Sequence, residues 1–147
     1  MKPPASEAPP DLQRFLDAQQ KVYALVLSEL KQGKKQSHWM WYIFPQIDGL
    51  GFSPTTKYYA IKSLEEAREY LKHPILGSRL LECTQLVLSH QGRPISSIFP
   101  LPDDMKLKSC VTLFSFAAGP GSVFDKVLDA FFQGQRDEKT LELLKRS

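Results

Sequence analysis

From residue 12 onward, apolar side chains return every three or four positions in segment after segment, and a glycine or a proline stops nearly every run. That spacing follows the 3.6-residue turn of an α-helix rather than the alternation of a half-buried strand, so the chain is expected to bury its apolar surface by packing helices on one another. The longest stripe runs through Leu12, Phe15, Leu16, Gln19, Val22, Tyr23, Val26, Leu27 and Leu30, with Asp11 as its N-cap and Gly33 as its stop.

Downstream the same logic repeats. Ser63 and Glu66 form an S-x-x-E capping box ahead of Leu64, Ala67 and Leu71, and this helix must stop before Pro74, whose ring pushes His73 out of the α region. Pro74 opens a helix with Leu76, Leu80, Cys83 and Val87 on one face, ending at Gly92. Pro102 at a first helical position, with Asp103 and Asp104 at the positive end of the dipole, starts another that carries Leu107, Val111 and Phe114. Ser122 with Asp125 caps a helix bearing Val123, Phe124, Val127, Leu128, Phe131 and Phe132, and a last helix from Asp137 docks through Leu141 and Leu144. The expected fold is all-α: a compact multihelical single domain of about seven helices over residues 11–147, with no substantial sheet. Residues 1–10 hold Pro3, Pro4, Pro9 and Pro10 among small and polar neighbours and read as a flexible leader.

Bulk properties exclude more than they identify. At 147 residues the chain has the length of one domain, and 42% hydrophobic with 24% charged residues is ordinary globular usage. A net charge of +3, with acids interspersed among the bases, falls short of the basic face of a nucleic-acid binder. Cys83 and Cys110 sit inside apolar helical patterns with no CxxC spacing, so they read as buried free thiols. No apolar run is long enough for a bilayer and no export signal is visible, so the expected compartment is the cytoplasm. No metal-ligand spacing and no Walker or Rossmann glycine loop occurs, and the reading names no cofactor. The sequence carries no signal for an oligomeric state.

The helical period is lost between Lys34 and Pro54. Ser37, His38, Trp39, Met40, Trp41, Tyr42, Ile43 and Phe44 run together, which suits either a short helix capped by Ser37 or a short strand. Gly49 and Gly51 follow in a loop that can bring backbone close to something else, and Ser53 with Pro54 can start a further short helix. Two lysines before a helix N-terminus, with a serine at its cap, would present ammonium and N–H groups to a phosphate or carboxylate, and the Trp and Tyr faces would stack on a planar group. Lys35, Ser37, Trp39, Trp41, Tyr58 and Lys106 are therefore the candidate ligand-binding residues. The competing reading makes Trp39, Trp41, Tyr42 and Phe44 core, Ser37 only a cap, and the lysines solvated.

His38 is the candidate proton donor, and Asp104, beside Asp103, the candidate base or cation stabiliser. Their competing reading is local: Asp103 with Lys106 and Asp104 with Lys108 are helix-surface pairs at a favourable helix end. The functional expectation is a small-ligand-binding domain with a pocket for an anionic, nucleotide-like molecule, with hydrolysis the simplest reaction if the ligand is turned over. The rival expectation is a protein–protein interaction module that docks a partner on an exposed aromatic patch. Nucleic acid and membrane are not expected partners.

The run SHWMWYIFPQIDGLG, the later EAREYLKHPILGSRL, the DDMKLKS stretch with its following TLF, and GSVFDKVLDAFF resemble the bacterial domain-of-unknown-function family numbered eighteen-ten. The resemblance covers most of the chain and implies a compact multihelical fold, and it brings no established catalytic residues. Members are often labelled calpastatin-like, yet calpastatin inhibits through disordered repeats, which the packed-helix patterning here does not match.

Overall fold

The stripe from Leu12 to Leu30 does not fold as one helix. In the computed structural model, which describes residues 12–146, it divides into α1 (Gln13–Gln20) and α2 (Tyr23–Gln32), and at the join the Val22 N–H turns back to Gln19 O at 3.1 Å. The expected leader and Asp11 cap lie outside the described residues. Dividing the stripe lets its halves face different neighbours: α1 packs on α3 (Met40–Ile43) and α2 on α6 (Leu76–Leu88). Gln19, the polar member of the stripe, is buried at the join. Its amide nitrogen donates to Tyr42 O and the Tyr70 hydroxyl, and its oxygen accepts from Arg79.

The remaining elements are α4 (Pro54–Tyr59), α5 (Leu64–Lys72), α7 (Ile95–Ile98), α8 (Asp103–Ala118), α9 (Val123–Phe132) and α10 (Glu138–Arg146). Ten helices among the described residues exceed the expected seven because the first stripe divides and single turns such as α3 and α7 close as helices. No strand forms among the described residues; Ile47 and Ile61 make one isolated parallel bridge.

Local signals fix most boundaries. Ser53, Ser63 and Ser122 each accept the N–H three residues on, which satisfies an orphan donor at the start of α4, α5 and α9. Glu66 does not return to Ser63 as a full capping box would; its Oε1 takes the Lys62 N–H and pairs with Arg14 at 3.2 Å, tying α5 to α1. His73 ends α5 in extended backbone, as Pro74 demands, and its Nδ1 then accepts the Ile75 and Leu76 N–H groups that open α6. Pro102 stands at the N-cap of α8, one position before the first-turn place expected of it.

At the centre lies α8. Leu107, Cys110, Val111, Leu113 and Phe114 are all fully buried, and Ser109, Thr112 and Ser115 are buried on its other faces. A helix enclosed all round needs neighbours all round, and α5, α7, α9 and α10 supply them. Ring contacts join four helices: Phe15 meets Tyr70 edge-on at 5.1 Å, Tyr70 meets Phe114 at 5.5 Å, and Phe114 meets Phe124 at 5.7 Å. Among the described residues no helix is long and apolar enough to cross a membrane.

Candidate functional site

Where the helical period fails, a carboxylate takes over as organiser. Glu29 lies in the last turn of α2, 4% exposed, and accepts from the Gln36 N–H at 2.7 Å, the Ser37 N–H at 3.0 Å, the Ser37 hydroxyl at 2.6 Å and the Trp39 indole N–H at 3.0 Å. Burial alone would raise its pKa, but the bonds from Ser37, Gln36 and Trp39 outweigh it and hold the carboxyl below its ordinary value. The sequence reading missed Glu29. Its signal was an acid in the last turn of a helix, where the dipole disfavours it and a dedicated partner is required.

Ser37 therefore caps no helix. The short α3 starts at Met40 with Trp39 at its N-cap, and the Ser37 hydroxyl is committed to Glu29. Lys35 is likewise engaged inside the fold: 7% exposed, its Nζ pairs with Asp103 at 2.8 Å, donates to Ser37 O at 2.6 Å and lies 5.0 Å from the Trp39 ring. Trp39 is 1% exposed and packs against Phe44 and Phe99 as core.

Trp41 and Tyr58 are only half-buried; Lys106 Nζ stands 5.2 Å from the Trp41 ring, and Tyr58 meets Tyr59 edge-on. His38 is exposed, and its carbonyl accepts from the Tyr42 hydroxyl. Asp104 is buried, with Oδ1 on the Met105 N–H. Among the described residues no hydrogen bond or ion pair joins His38 to Asp104.

A concavity opens beside Lys106. A cleft of about 230 Å³ lies between the loop of residues 46–51, α8 and the start of α10, with Gln46, Leu50, Met105, Lys106, Ser109 and Lys139 among its walls. The loop is pinned by Ile61, whose N–H donates to Gln46 O and whose carbonyl accepts from Asp48, both at 2.8 Å. Gly49 secures the other side: at φ +107°, an added Cβ would stand 2.9 Å from Leu143 of α10. The close approach expected of this loop is thus made to the protein's own helix.

Among the described residues the walls of the cleft carry two lysines, Lys106 and Lys139, against one carboxylate, Asp137. Asp103, already bound by Lys35 at 2.8 Å, is also the 3.7 Å partner of Lys106, so one carboxylate stands between two ammonium groups. Lys139 pairs with Glu142 at 3.7 Å with both side chains more than half exposed, an arrangement worth little in water. Asp137 in the walls turns Oδ2 inward to the Ser109 hydroxyl and to the N–H and hydroxyl of Thr140. Ser109 also donates to Met105 O, and no histidine lines the cleft. The arrangement supplies cationic donors beside an apolar wall and holds no nucleophile–base pair. Among the described residues no three His, Cys, Asp or Glu side chains gather as a metal site would require.

The crystal structure of the conserved hypothetical protein Rv1873 from Mycobacterium tuberculosis is similar, with 50% sequence identity and a TM-score of 0.90 over 92% of this chain and 96% of that one. No curated protein matches the chain. A family model described as a protein of unknown function, DUF1810, matches residues 9–144. With that match running from before α1 into α10, the chain belongs to the DUF1810 family.

Proposed function

We propose that this chain is a binding domain for a small anionic ligand, held in the cleft between the loop of residues 46–51 and α8. The observation that carries the reading is the presence of two lysines, Lys106 and Lys139, in the walls of a concavity whose carboxylate, Asp137, is bound inward by Ser109 and Thr140, while Lys106 shares its own partner Asp103 with Lys35. Leu50 and Met105 on its walls favour an anion with an apolar or planar part, and a nucleotide is one such molecule. Lys106 is the principal cation, with Lys139 opposite. His38 and Asp104 lie outside these walls and have no catalytic part in the reading. The buried free thiols Cys83 and Cys110 support a reducing compartment such as the cytoplasm.

A second reading, a protein–protein interaction module, is favoured by Phe52, 80% exposed next to Gly51 of the cleft wall, and by Met105, 49% exposed. The two part company on substitution. A thermal-shift screen of nucleotides and phosphorylated metabolites should stabilise the wild type, by about 2.7 kcal/mol at a ligand concentration of roughly 100 times Kd. Lys106→Ala should lose the shift and Phe52→Ser should keep it. An undiminished shift in Lys106→Ala would reject the cleft as the site.

A further inference from the structure

The cleft does not end at α10. Asp137 and Lys139 also line a second depression of about 620 Å³, whose walls include Lys108, Arg136 and Glu138. Building on the anion-binding reading above, we infer that the two depressions form one site and that its ligand carries a chain of linked phosphates, one end at Lys106 and the other at Lys108.

Size is the first argument. Small-molecule sites commonly occupy roughly 300 to 1,000 Å³. At about 230 Å³ the cleft alone is undersized, whereas the depression that shares its wall falls inside the range.

Charge is the second. Lys106, Lys108, Arg136 and Lys139 face two carboxylates, Asp137 and Glu138, across the combined walls. Asp137 is occupied by Ser109 and Thr140, and Arg136 is drawn toward Asp125 at 3.6 Å. Lys108 is different. It is half-buried, and among the described residues no carboxylate stands within ion-pair distance of it. The partner its spacing suggests is Asp104, one helical turn earlier, but that carboxylate turns back to the Met105 N–H instead. Among the described residues no carboxylate therefore competes with a bound anion for this ammonium group.

Helix geometry decides between one ligand and two. Lys106 and Lys108 are two residues apart on α8, and positions i and i+2 of a helix point to different sides. Each lines one depression, and Lys139 lines both. A single phosphate reaches one of the two lysines; a linked chain that passes Lys139 reaches both and gains from the tether.

The test is isothermal titration of orthophosphate, pyrophosphate and tripolyphosphate into the wild type, Lys106→Ala, Lys108→Ala and Lys72→Ala at low ionic strength. Tripolyphosphate should bind the wild type one to one, at least about tenfold more tightly than orthophosphate. Lys108→Ala should abolish that gain, so that this variant binds tripolyphosphate and orthophosphate alike; Lys106→Ala should weaken all three ligands; Lys72→Ala, outside both depressions, should change nothing. A chain-length gain that survives Lys108→Ala, two tripolyphosphates per chain, or an equal loss in Lys72→Ala would overturn the inference. The anion-binding reading survives the first two of those results so long as Lys106→Ala weakens orthophosphate. No binding by the wild type ends both. A nucleoside triphosphate that binds more tightly than tripolyphosphate supports the inference and identifies a nucleotide as the source; equal affinity supports it with the phosphate chain alone recognised.

Discussion

Lys35 and Asp103 meet at 2.8 Å, the lysine side chain 6% and the aspartate 18% exposed, and this pair fastens the connection after α2 to the start of α8. It removes from the surface a lysine whose spacing in the sequence marked it as a ligand contact. It also leaves Lys106, with Lys139, as the cations that line the cleft.

Breaking this pair should cost unequal amounts on its two sides. Lys35→Ala leaves Asp103 with Lys106 still 3.7 Å away, so the loss is expected near 2 kcal/mol, below the roughly 3 to 5 kcal/mol typical of a broken buried pair. Asp103→Ala strands the more deeply buried Lys35 and should cost more. Urea denaturation of both variants measures the difference, and the opposite order would contradict the arrangement.

Glu29 should dominate the acid sensitivity of the α2–α3 junction. Its folded pKa lies below the unfolded value of about 4.3, so its contribution is present above that pH and disappears as the pH falls through the folded value. Glu29→Gln keeps the shape but loses charge-assisted bonds, with an expected cost of about 2 kcal/mol at neutral pH. The gap between wild type and variant should close on acidification. A gap that stays constant with pH would show the carboxylate charge to be unimportant.

Gly77→Ala should destabilise through a clash. A Cβ there would stand 2.0 Å from the carbonyl oxygen of Leu71, a backbone atom that cannot step aside as a side chain could. Forcing α5 and α6 apart should cost about 3 kcal/mol or more, seen as a lowered denaturation midpoint with unchanged slope.

Both thiols should be silent in the native protein. Cys83 and Cys110 are fully buried; burial pushes the Cys83 thiol up to about 12 and raises Cys110 well above its usual value. A thiol reagent at mildly alkaline pH should titrate neither until denaturant is added, and then both. Rapid labelling of the folded chain would mean that the α6–α8 region opens readily.

The two tryptophans should report different surroundings. Trp39 is 1% exposed whereas Trp41 is half-buried beneath Lys106, so Trp41→Phe should remove most of the acrylamide-quenchable fluorescence and leave a blue-shifted, protected emission. If the remaining Trp39 is quenched as readily as before, its burial is wrong.

What could be read from the chain alone was whatever a few neighbouring residues decide among themselves. The apolar stripes, the serine caps at Ser53, Ser63 and Ser122, the halt at His73 and the left-handed close at Gly33 each depend on contacts within about one helical turn, and all are present in the fold. The division at Val22, the capture of Ser37 by Glu29 and the pairing of Lys35 with Asp103 depend on which helices meet, and no local spacing records that. The cleft belongs to this second kind. Its walls come from three separate stretches around Leu50, Lys106 and Lys139, and only the docking of α10 against α8 and Gly49 makes them face one another. Periodicity is a property of one helix, but a concavity and its charge are properties of several held together.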